Sequence, residues 1–301
     1  MRGMDKVLTL IAPAGSSALT EAMVAAAATA LTEAGGQPGT PDWLDPGAAC
    51  DVPVAGVGPE KAEAAVRARL AEAPLDLAVQ SATGRRRMLL IADMESTIIG
   101  QELVDELAEI AGVGSRVAGI TARSMAGELD FAASLRERVA LLAGQPAAVL
   151  DQVEDRITLN PGARELVQTM QAHGAHTALV SGGFTRFTEK VREICGFDEA
   201  RGNTLGIADG RLTGKVGEPI LGREAKAAAL VELAGQRALT PEQACAVGDG
   251  ANDLEMLQAA GLGAAYRAKP IVRDAARFRI DHGDLTALLF LQGYRRTEFS
   301  S

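Results

Sequence analysis

Apolar residues fall into short, nearly continuous runs along this chain, separated by stretches rich in helix formers. Three runs end in polar clusters: residues 88–92 before Asp93, residues 176–180 before Ser181, and residues 244–247 before a GDGAND segment. Such runs are typical of strands buried on both faces of a parallel sheet. The pattern predicts an α/β fold with a doubly wound, Rossmann-like parallel sheet as its core.

A long stretch without any strand-like run, residues 102–156, separates the first two of these runs. Helix formers dominate it, so it predicts a helical insertion. In open α/β sheets, ligands bind outside the carboxyl ends of the strands. The insertion is therefore predicted to form a cap or lid beside the site.

Residues 1–84 form a small unit of their own in this interpretation. Strands are predicted at residues 7–11, 51–54 and 75–80, with a weak one near Trp43, and helices at residues 19–34 and 61–73. The resulting order, βαββαβ, is the ferredoxin-like pattern. The predicted domains are thus residues 1–84, an α+β unit, and residues 85–301, the α/β unit with its helical cap.

The composition argues against one class of partner, nucleic acids. The 301 residues carry a formal net charge of −9, which provides no basic field for a nucleic acid. The Arg85–Arg87 run is the local exception, and we expect it to be a solvated linker.

The three cysteines, Cys50, Cys195 and Cys245, are far apart in the sequence, which is untypical of a disulfide scaffold or a zinc site. They indicate a reducing compartment. Because no run of about 18 apolar residues occurs, the sequence predicts a soluble, cytoplasmic protein without a membrane partner.

The first polar cluster, DMEST at residues 93–97, places two carboxylates at a strand end. In an extended segment, residues two apart face the same way, so Asp93 and Glu95 can approach one substrate. A carboxylate nucleophile acting on phosphate needs a metal to offset charge repulsion and an acid for the leaving oxygen. The pair can supply the nucleophile and the acid, although this motif alone is also typical of a surface turn.

The other two clusters provide complementary groups. A hydroxyl and exposed N–H groups at residues 181–183 can bind phosphate oxygens, and GDGAND at residues 248–253 offers the oxygen ligands that Mg²⁺ prefers. Lys226, ahead of an Ala-rich helix, can neutralise charge on a phosphoryl group. Each feature alone has an ordinary alternative: a glycine turn, an Asx-rich loop or a solvated helix charge.

Taken in order, DMEST, VSGGF at residues 180–184, Lys226 and VGDGANDL at residues 247–254 resemble the four motifs of the haloacid-dehalogenase-like (HAD) superfamily. A finer resemblance, to phosphoserine phosphatases, rests on QE at residues 101–102, MAGELDFAASLRERVALL at residues 125–142 and NPG at residues 160–162. It covers the chain from about residue 88 to the C-terminus. The N-terminal unit loosely resembles the ACT-like segments that precede some bacterial members.

The resemblance implies Asp93 as the nucleophile and as a ligand of Mg²⁺. It implies Asp249 as the second carboxylate ligand and the backbone carbonyl of Glu95 as a third, with the Glu95 side chain as acid and base. Thr97, Gly183 and Asp253 are implied in supporting roles. Asp253 would orient its motif through Lys226 or a metal-bound water.

The resemblance also assigns the substrate contacts. The residues expected to bind phosphate are Ser181, Gly182, Lys226 and Asn252. Glu102 would meet the substrate ammonium and Arg138 its carboxylate, a pairing that suits a guanidinium. Met125 and Phe131 would close an apolar lid, although six-residue spacing among helix formers is equally typical of a core.

One residue departs from the family pattern, because the acid/base position is usually Asp and is Glu95 here. Both acids titrate in the same range, but the extra methylene moves the carboxyl by about one bond length, and a misplacement near 1 Å can cost on the order of a hundredfold in rate. We expect an active enzyme.

The function that follows from the resemblance is hydrolysis of O-phospho-L-serine to L-serine and phosphate through an aspartyl-phosphate, the last step of serine biosynthesis. Two alternatives stay open: transfer to another acceptor or action on another small phosphomonoester, and a weakened enzyme that serves as an amino-acid sensor. For the N-terminal unit we expect dimerisation, hence a homodimer, or packing, with serine sensing as the alternative.

Overall fold

The computed structural model describes residues 4–125 and 128–300, without the side chain of Met125. The first part contains β1 (Lys6–Ile11), α1 (Glu21–Glu33), β2 (Gln37–Pro38), β3 (Asp42–Asp45), β4 (Ala49–Ala55), α2 (Pro59–Arg69) and β5 (Asp76–Ser81). The strands form one antiparallel sheet in the order β2-β4-β1-β5, and β3 also pairs with β4. The predicted βαββαβ order is present, with the short strand β2 in addition.

Local chemistry explains where the two helices of this sheet begin. The hydroxyl of Thr20 accepts a hydrogen bond from the Met23 N–H at the start of α1, and Pro59, whose φ is already fixed near the helical value, opens α2. Their apolar residues form a core with the sheet that includes Leu31, Val66 and Cys50.

The second part is larger. Its elements in chain order are β6 (Leu89–Ala92), α3 (Leu103–Ile110), α4 (Gly114–Met125), α5 (Phe131–Ala140), α6 (Val149–Glu154), α7 (Ala163–Ala172), β7 (His176–Phe184), α8 (Thr185–Cys195), β8 (Glu199–Asn203), β9 (Leu205–Ala208), β10 (Arg211–Val216), α9 (Arg223–Gln236), β11 (Ala244–Gly248), α10 (Leu254–Ala259), β12 (Leu262–Tyr266), α11 (Pro270–Ala275), β13 (Phe278–Ile280) and α12 (Ala287–Leu291).

Six of these strands form a parallel sheet in the order β13-β12-β11-β6-β7-β8. The chain runs outward from β6 to β8, returns to β11 on the other side of β6, and runs outward again to β13. The predicted doubly wound parallel core is therefore confirmed. Its switch point lies between β6 and β11, where ligands bind in such sheets.

The insertion between β6 and β7 is helical, as predicted, and comprises α3 to α6. The β9–β10 hairpin was not predicted. It packs against the end of α5 and the turn after it: the Gly144 N–H donates to the Leu212 carbonyl at 2.8 Å, and a Cβ on Gly214 would lie 2.8 Å from that of Ala143. Helices and hairpin thus stand together beside the carboxyl ends of the strands.

The prediction of a solvated arginine linker is wrong. Arg85 donates to Asp51 at 2.7 Å, and each side chain is only 10% exposed. Asp51 also accepts a hydrogen bond from the Thr9 hydroxyl at 2.6 Å, and the guanidinium of Arg86 stacks 4.2 Å from the Tyr294 ring centroid. The Arg87 guanidinium donates to the backbone carbonyls of Glu242 and Gly261, and of the three arginines only Arg86 remains exposed. The run therefore contacts residues of both parts.

Further contacts hold the two sheets against each other. The buried carboxylate of Asp76 accepts backbone N–H bonds from residues 281–283, the shortest being 2.6 Å from Gly283. Ile11 and Leu44 belong to the same apolar cluster as Phe290. The N-terminal sheet is therefore packed on the parallel-sheet part through both polar and apolar contacts.

Cys50, Cys195 and Cys245 are free and buried, and burial raises the pKa of each thiol to about 12. Among the described residues, no helix has both the length and the apolar character needed to cross a membrane.

Candidate active site

Two loops at the switch point bring the acidic motifs together. Asp93 follows β6, and its backbone N–H donates to the Val247 carbonyl at 3.0 Å on the neighbouring strand β11. Asp249 follows β11. Because β6 and β11 are adjacent and parallel, residues more than 150 positions apart in the chain lie side by side.

The ammonium of Lys226 lies between the carboxylates of Asp93 and Asp253, the last residue of the GDGAND segment. Its Nζ is 2.7 Å from Asp93 Oδ1 and 2.6 Å from Asp253 Oδ1, and the side chain is 1% exposed. Burial lowers the pKa of this ammonium, but the attraction of Asp93 and Asp253 outweighs burial and leaves the pKa above its usual value. Lys226 therefore stays charged inside the site.

Carboxylate oxygens of Asp93, Asp249 and Asp253 lie within 4.8 Å of one another. Burial, followed by the charge of Asp253, raises the pKa of Asp93 well above its usual value and that of Asp249 to about 6. Three carboxylates face a single ammonium, which leaves a buried negative excess. A hard divalent cation with oxygen ligands, such as Mg²⁺, fits this donor set and this charge.

Asp253 has other partners within this cluster. Oδ1 accepts from Lys226, and Oδ2 accepts from the Gly250 N–H at 3.0 Å. With both oxygens engaged, its carboxylate fits an orienting role better than that of a direct ligand.

Glu95 is placed for proton transfer by its surroundings. Its Oε1 accepts a hydrogen bond from the Leu103 N–H, the first residue of α3, at 2.7 Å. Burial, followed by the charge of Glu102, raises the Glu95 pKa to about 7. A Cβ on Gly183 would lie 3.1 Å from Glu95 Oε2, so the glycine leaves room for this longer acid.

The turn after Asp93 is tightly constrained. Ser96 has φ +54°, in the left-handed region, and its hydroxyl donates to Glu102 at 2.8 Å. The amide of Asn160 donates to the carbonyls of Thr97, at 2.8 Å, and Ile99. Sequence reasoning gave Ser96 and Asn160 no role in the site, although the NPG segment was a signal for Asn160.

Three more predicted residues have described neighbours: Thr97, predicted in a supporting role, and Ser181 and Asn252, predicted to bind phosphate. The Thr97 hydroxyl is buried and lies 3.3 Å from Asp249 Oδ1. Ser181 is buried, and its Oγ accepts from the Gly183 N–H at 2.9 Å. Asn252 lies against Gly250 in the loop after β11.

Of the predicted cap residues, Phe131 is the best placed. A Cβ on Gly182 would lie 2.7 Å from its Cζ, and one on Gly222 would lie 3.2 Å from its Cδ1. We call residues 181–183, the irregularly paired end of β7, the Ser181 loop. The ring packs directly against the backbone of this loop and of the segment that leads to Lys226. Both glycines permit this approach.

Two charged residues of the insertion are close enough to act on Glu95. Glu102 raises its pKa, whereas the half-buried Arg138 lowers it. Charges of both signs therefore act on the Glu95 carboxyl, and the substrate contacts of Glu102 and Arg138 stay a prediction. The side chain of Met125, the remaining lid residue, lies outside the described residues.

Comparisons with known proteins agree with this arrangement. A family model described as haloacid dehalogenase-like hydrolase matches residues 90–258. A phosphoserine phosphatase of Streptomyces coelicolor is 43% identical over 284 residues, 93% of this chain and 69% of that protein. One of Mycobacterium tuberculosis is 43% identical over 252 residues, 83% of this chain and 61% of that protein.

The chain thus spans 69% and 61% of the length of these two curated relatives. A crystal structure of a probable phosphoserine phosphatase from Vibrio cholerae, unliganded, superposes with a TM-score of 0.78 at 34% identity, covering 98% of this chain and 88% of that one. With its four motifs at the switch point of a doubly wound sheet, the chain belongs to the haloacid dehalogenase-like hydrolases.

Proposed function

We propose that this protein is a magnesium-dependent phosphoserine phosphatase that converts O-phospho-L-serine to L-serine and phosphate, the last step of serine biosynthesis. The observation that carries the proposal is the convergence of Asp93, Lys226 and Asp249 from three distant parts of the chain. A protein that only bound an amino acid would have no use for a buried carboxylate paired with an ammonium beside a cation site. The names of the relatives support phosphoserine as the substrate.

In the first half of the reaction, a carboxylate oxygen of Asp93 attacks phosphorus and the bond from phosphorus to the serine oxygen breaks. Glu95 gives its proton to that oxygen, and serine leaves. In the second half, Glu95 takes a proton from water as the water oxygen attacks phosphorus. The bond from phosphorus to Asp93 breaks and phosphate is released. The free Asp93 carboxylate and the protonated Glu95 are thereby restored.

The neighbouring groups stabilise the charge that moves. Lys226, the Ser181 hydroxyl and the N–H groups of its loop bind the phosphoryl oxygens, and Asn252 assists there. Mg²⁺, held by Asp93, Asp249 and the Glu95 backbone carbonyl, would supply the positive charge that lets a carboxylate approach a phosphate dianion.

The insertion would select the serine moiety. Glu102 binds its ammonium, Arg138 its carboxylate, and Phe131 with Met125 covers both and excludes stray water during the first half-reaction. In this proposal residues 85–301, with the cap at about 102–156, form the catalytic domain. Residues 1–84 form an ACT-like domain, and the protein is a homodimer.

A phosphate-release assay tests the proposal. L-phosphoserine is compared with a panel of sugar and nucleotide phosphates, each with Mg²⁺ or with EDTA. We expect the highest kcat/KM on L-phosphoserine and no turnover in EDTA. Turnover of a sugar or nucleotide phosphate above that of phosphoserine would contradict the substrate, and full activity in EDTA would contradict the metal.

A further inference from the structure

The last residue of β8, Asn203, lies at the edge of the parallel sheet and is only 2% exposed. Its side-chain amide makes three hydrogen bonds. Nδ2 donates to the carbonyls of Gly182, at 2.8 Å, and Leu221, at 3.1 Å, and Oδ1 accepts from the Leu221 N–H at 2.7 Å. A single buried amide thus joins two segments that are distant in the sequence.

The first of these segments is the Ser181 loop. The Gly182 carbonyl and the Gly183 N–H belong to one peptide unit, which is planar. A hydrogen bond that fixes the carbonyl therefore also fixes the N–H, and this N–H donates to Ser181 Oγ at 2.9 Å. The orientation of the Ser181 hydroxyl thus depends on the bond from Asn203.

The second segment leads into α9. Leu221 is followed by Gly222, the N-cap residue of that helix, and Lys226 lies in the first turn of α9. Because both the N–H and the carbonyl of Leu221 are bonded to Asn203, the two peptide planes that flank Leu221 are held in one orientation. The start of α9 is therefore held at a set position relative to the Ser181 loop.

Two neighbours show how closely these segments meet. A Cβ on Gly202 would lie 3.0 Å from the Gly183 carbonyl oxygen, so β8 approaches the loop as only glycine allows. The Phe131 ring packs against both Gly182 and Gly222. Asn203 thus lies beneath the two segments that support the cap.

We propose that Asn203 is a positioning residue that sets the distance between the Ser181 hydroxyl and the Lys226 ammonium, and thereby the geometry in which the phosphoryl group is held. The inference rests on the proposed function, because it assigns these two groups to phosphate. Asn203 itself touches neither substrate nor cation. Its loss should affect phosphoryl binding while leaving cation binding intact.

The test is the Asn203→Asp variant, which keeps the shape and the acceptor for the Leu221 N–H but turns a second oxygen toward two carbonyls. Gln292→Glu is the matched control. Gln292 is another buried amide, bonded to the Arg87 N–H and the Leu288 carbonyl and not part of the site. Both variants undergo the same chemical change, so both should lose stability.

We expect Asn203→Asp to lower kcat/KM for L-phosphoserine by about 10- to 100-fold, the usual effect of losing a group that orients a site residue. Inhibition by orthovanadate should weaken by a similar factor, while the Mg²⁺ concentration for half-maximal activity changes less than about twofold. Gln292→Glu should keep kcat/KM and vanadate inhibition within about twofold. Unchanged kcat/KM and vanadate inhibition in a folded Asn203→Asp would overturn the proposal.

Asn203→Ala is a second variant, for the case in which Asn203→Asp does not fold, because it removes the three hydrogen bonds without burying a carboxyl group. Vanadate inhibition should again weaken by about tenfold or more. Full vanadate inhibition in folded Asn203→Ala would contradict the proposal. If the wild type cleaved no phosphoserine, the proposed function would fail by itself, and calorimetric binding of inorganic phosphate with Mg²⁺ would still decide the role of Asn203.

Discussion

The ammonium of Lys226 is 1% exposed and forms ion pairs with the carboxylates of Asp93 and Asp253. Replacing Lys226 with Met leaves the carboxylates of Asp93 and Asp253 buried without their cation. We expect phosphate release to cease and the unfolding free energy in EDTA, measured with urea, to fall by about 3–5 kcal/mol.

Two further variants make the Lys226 prediction specific. Adding Asp253→Asn to Lys226→Met should recover part of the lost stability, because one uncompensated charge is removed. Lys190→Met removes an exposed helix charge and should leave stability and activity nearly unchanged. A Lys226→Met protein as stable as the wild type would show that the carboxylates do not depend on this ion pair.

Glu95 gives a second prediction at this scale. Glu95→Gln keeps the shape but cannot exchange a proton, so kcat on L-phosphoserine should fall by about 10²- to 10⁴-fold. Glu95→Asp restores the residue usual in the family and should retain far more turnover than the Gln variant. Equal turnover in the wild type and the Gln variant would exclude Glu95 as the acid and base.

The positions of the candidate site residues could be predicted from sequence because each one stands at the end of an apolar run, although β7 continues past Ser181 to Phe184. Asp93, Ser181 and Asp249 are then aligned by the sheet alone. The left-handed φ of Ser96 could not be predicted in this way, because it depends on how the turn closes against Glu102. The pKa of Glu95 likewise depends on neighbours that only the folded chain brings together.

At the scale of elements, the cap and the sheet meet where Phe131, the first residue of α5, packs on Gly222 and Gly182. Gly222→Ala is compatible with the extended backbone there but would place a methyl group 3.2 Å from the Phe131 ring. We expect the ring, displaced by a few tenths of an ångström, to raise KM for L-phosphoserine by about threefold, less than a misplacement near 1 Å would cause. Steady-state kinetics measure this effect.

Gly235→Ala is the matched control for Gly222→Ala. It lies in the same helix, α9, with nothing within 4 Å of the added methyl. It should leave KM unchanged and stabilise the helix by up to about 1 kcal/mol. Equal KM values in both variants would mean that the ring does not contribute to substrate binding.

The elements that were predicted correctly and those that were missed differ in a physical way. β6, β7 and β11 lie inside the sheet and contain apolar runs. β8, with the sequence EARGN, lies at the sheet edge and is mostly half-buried, so it has no apolar run to identify it. The β9–β10 hairpin does have a local signal, which was missed: Asp209 and Gly210, with φ +50° and +69°, are the two-residue Asp-Gly turn that favours a hairpin.

At the scale of the whole molecule, Asp76 links the two sheets, because it accepts N–H bonds from the loop after β13. Asp76→Ala would leave these buried donors unpaired. The unfolding free energy should drop by about 3 kcal/mol, measured with urea. Asp274→Ala, at an exposed position of α11, is the control and should change the unfolding free energy by less than about 0.5 kcal/mol; equal stability of the two variants would argue against the link.

A bound cation should also act on the whole molecule. Mg²⁺ at 100 times its Kd should raise the unfolding free energy by about 2.7 kcal/mol, because it binds only the folded site. Asp249→Asn should abolish the effect, observed as loss of the Mg²⁺-dependent rise in Tm. A wild-type Tm that does not respond to Mg²⁺ would argue against the cation site.

The packing of the two sheets against each other could not be predicted from the sequence. Arg85 to Arg87 carry charges typical of a solvated linker, and only the positions of Asp51 and Tyr294 in the folded chain show otherwise. Contacts between distant segments determine whether such a run faces water or protein.

The burial of all three thiols provides a means of following how the molecule opens. Cys50 lies within the N-terminal sheet and Cys245 within the parallel one, and neither can meet a thiol reagent until its own surroundings separate. The rates of thiol labelling at low urea, measured by mass spectrometry, will therefore report on the opening of the two parts independently. Matching rates at both positions would mean that they come apart as one cooperative unit, whereas faster modification of Cys50 would mean that the N-terminal sheet detaches or melts first.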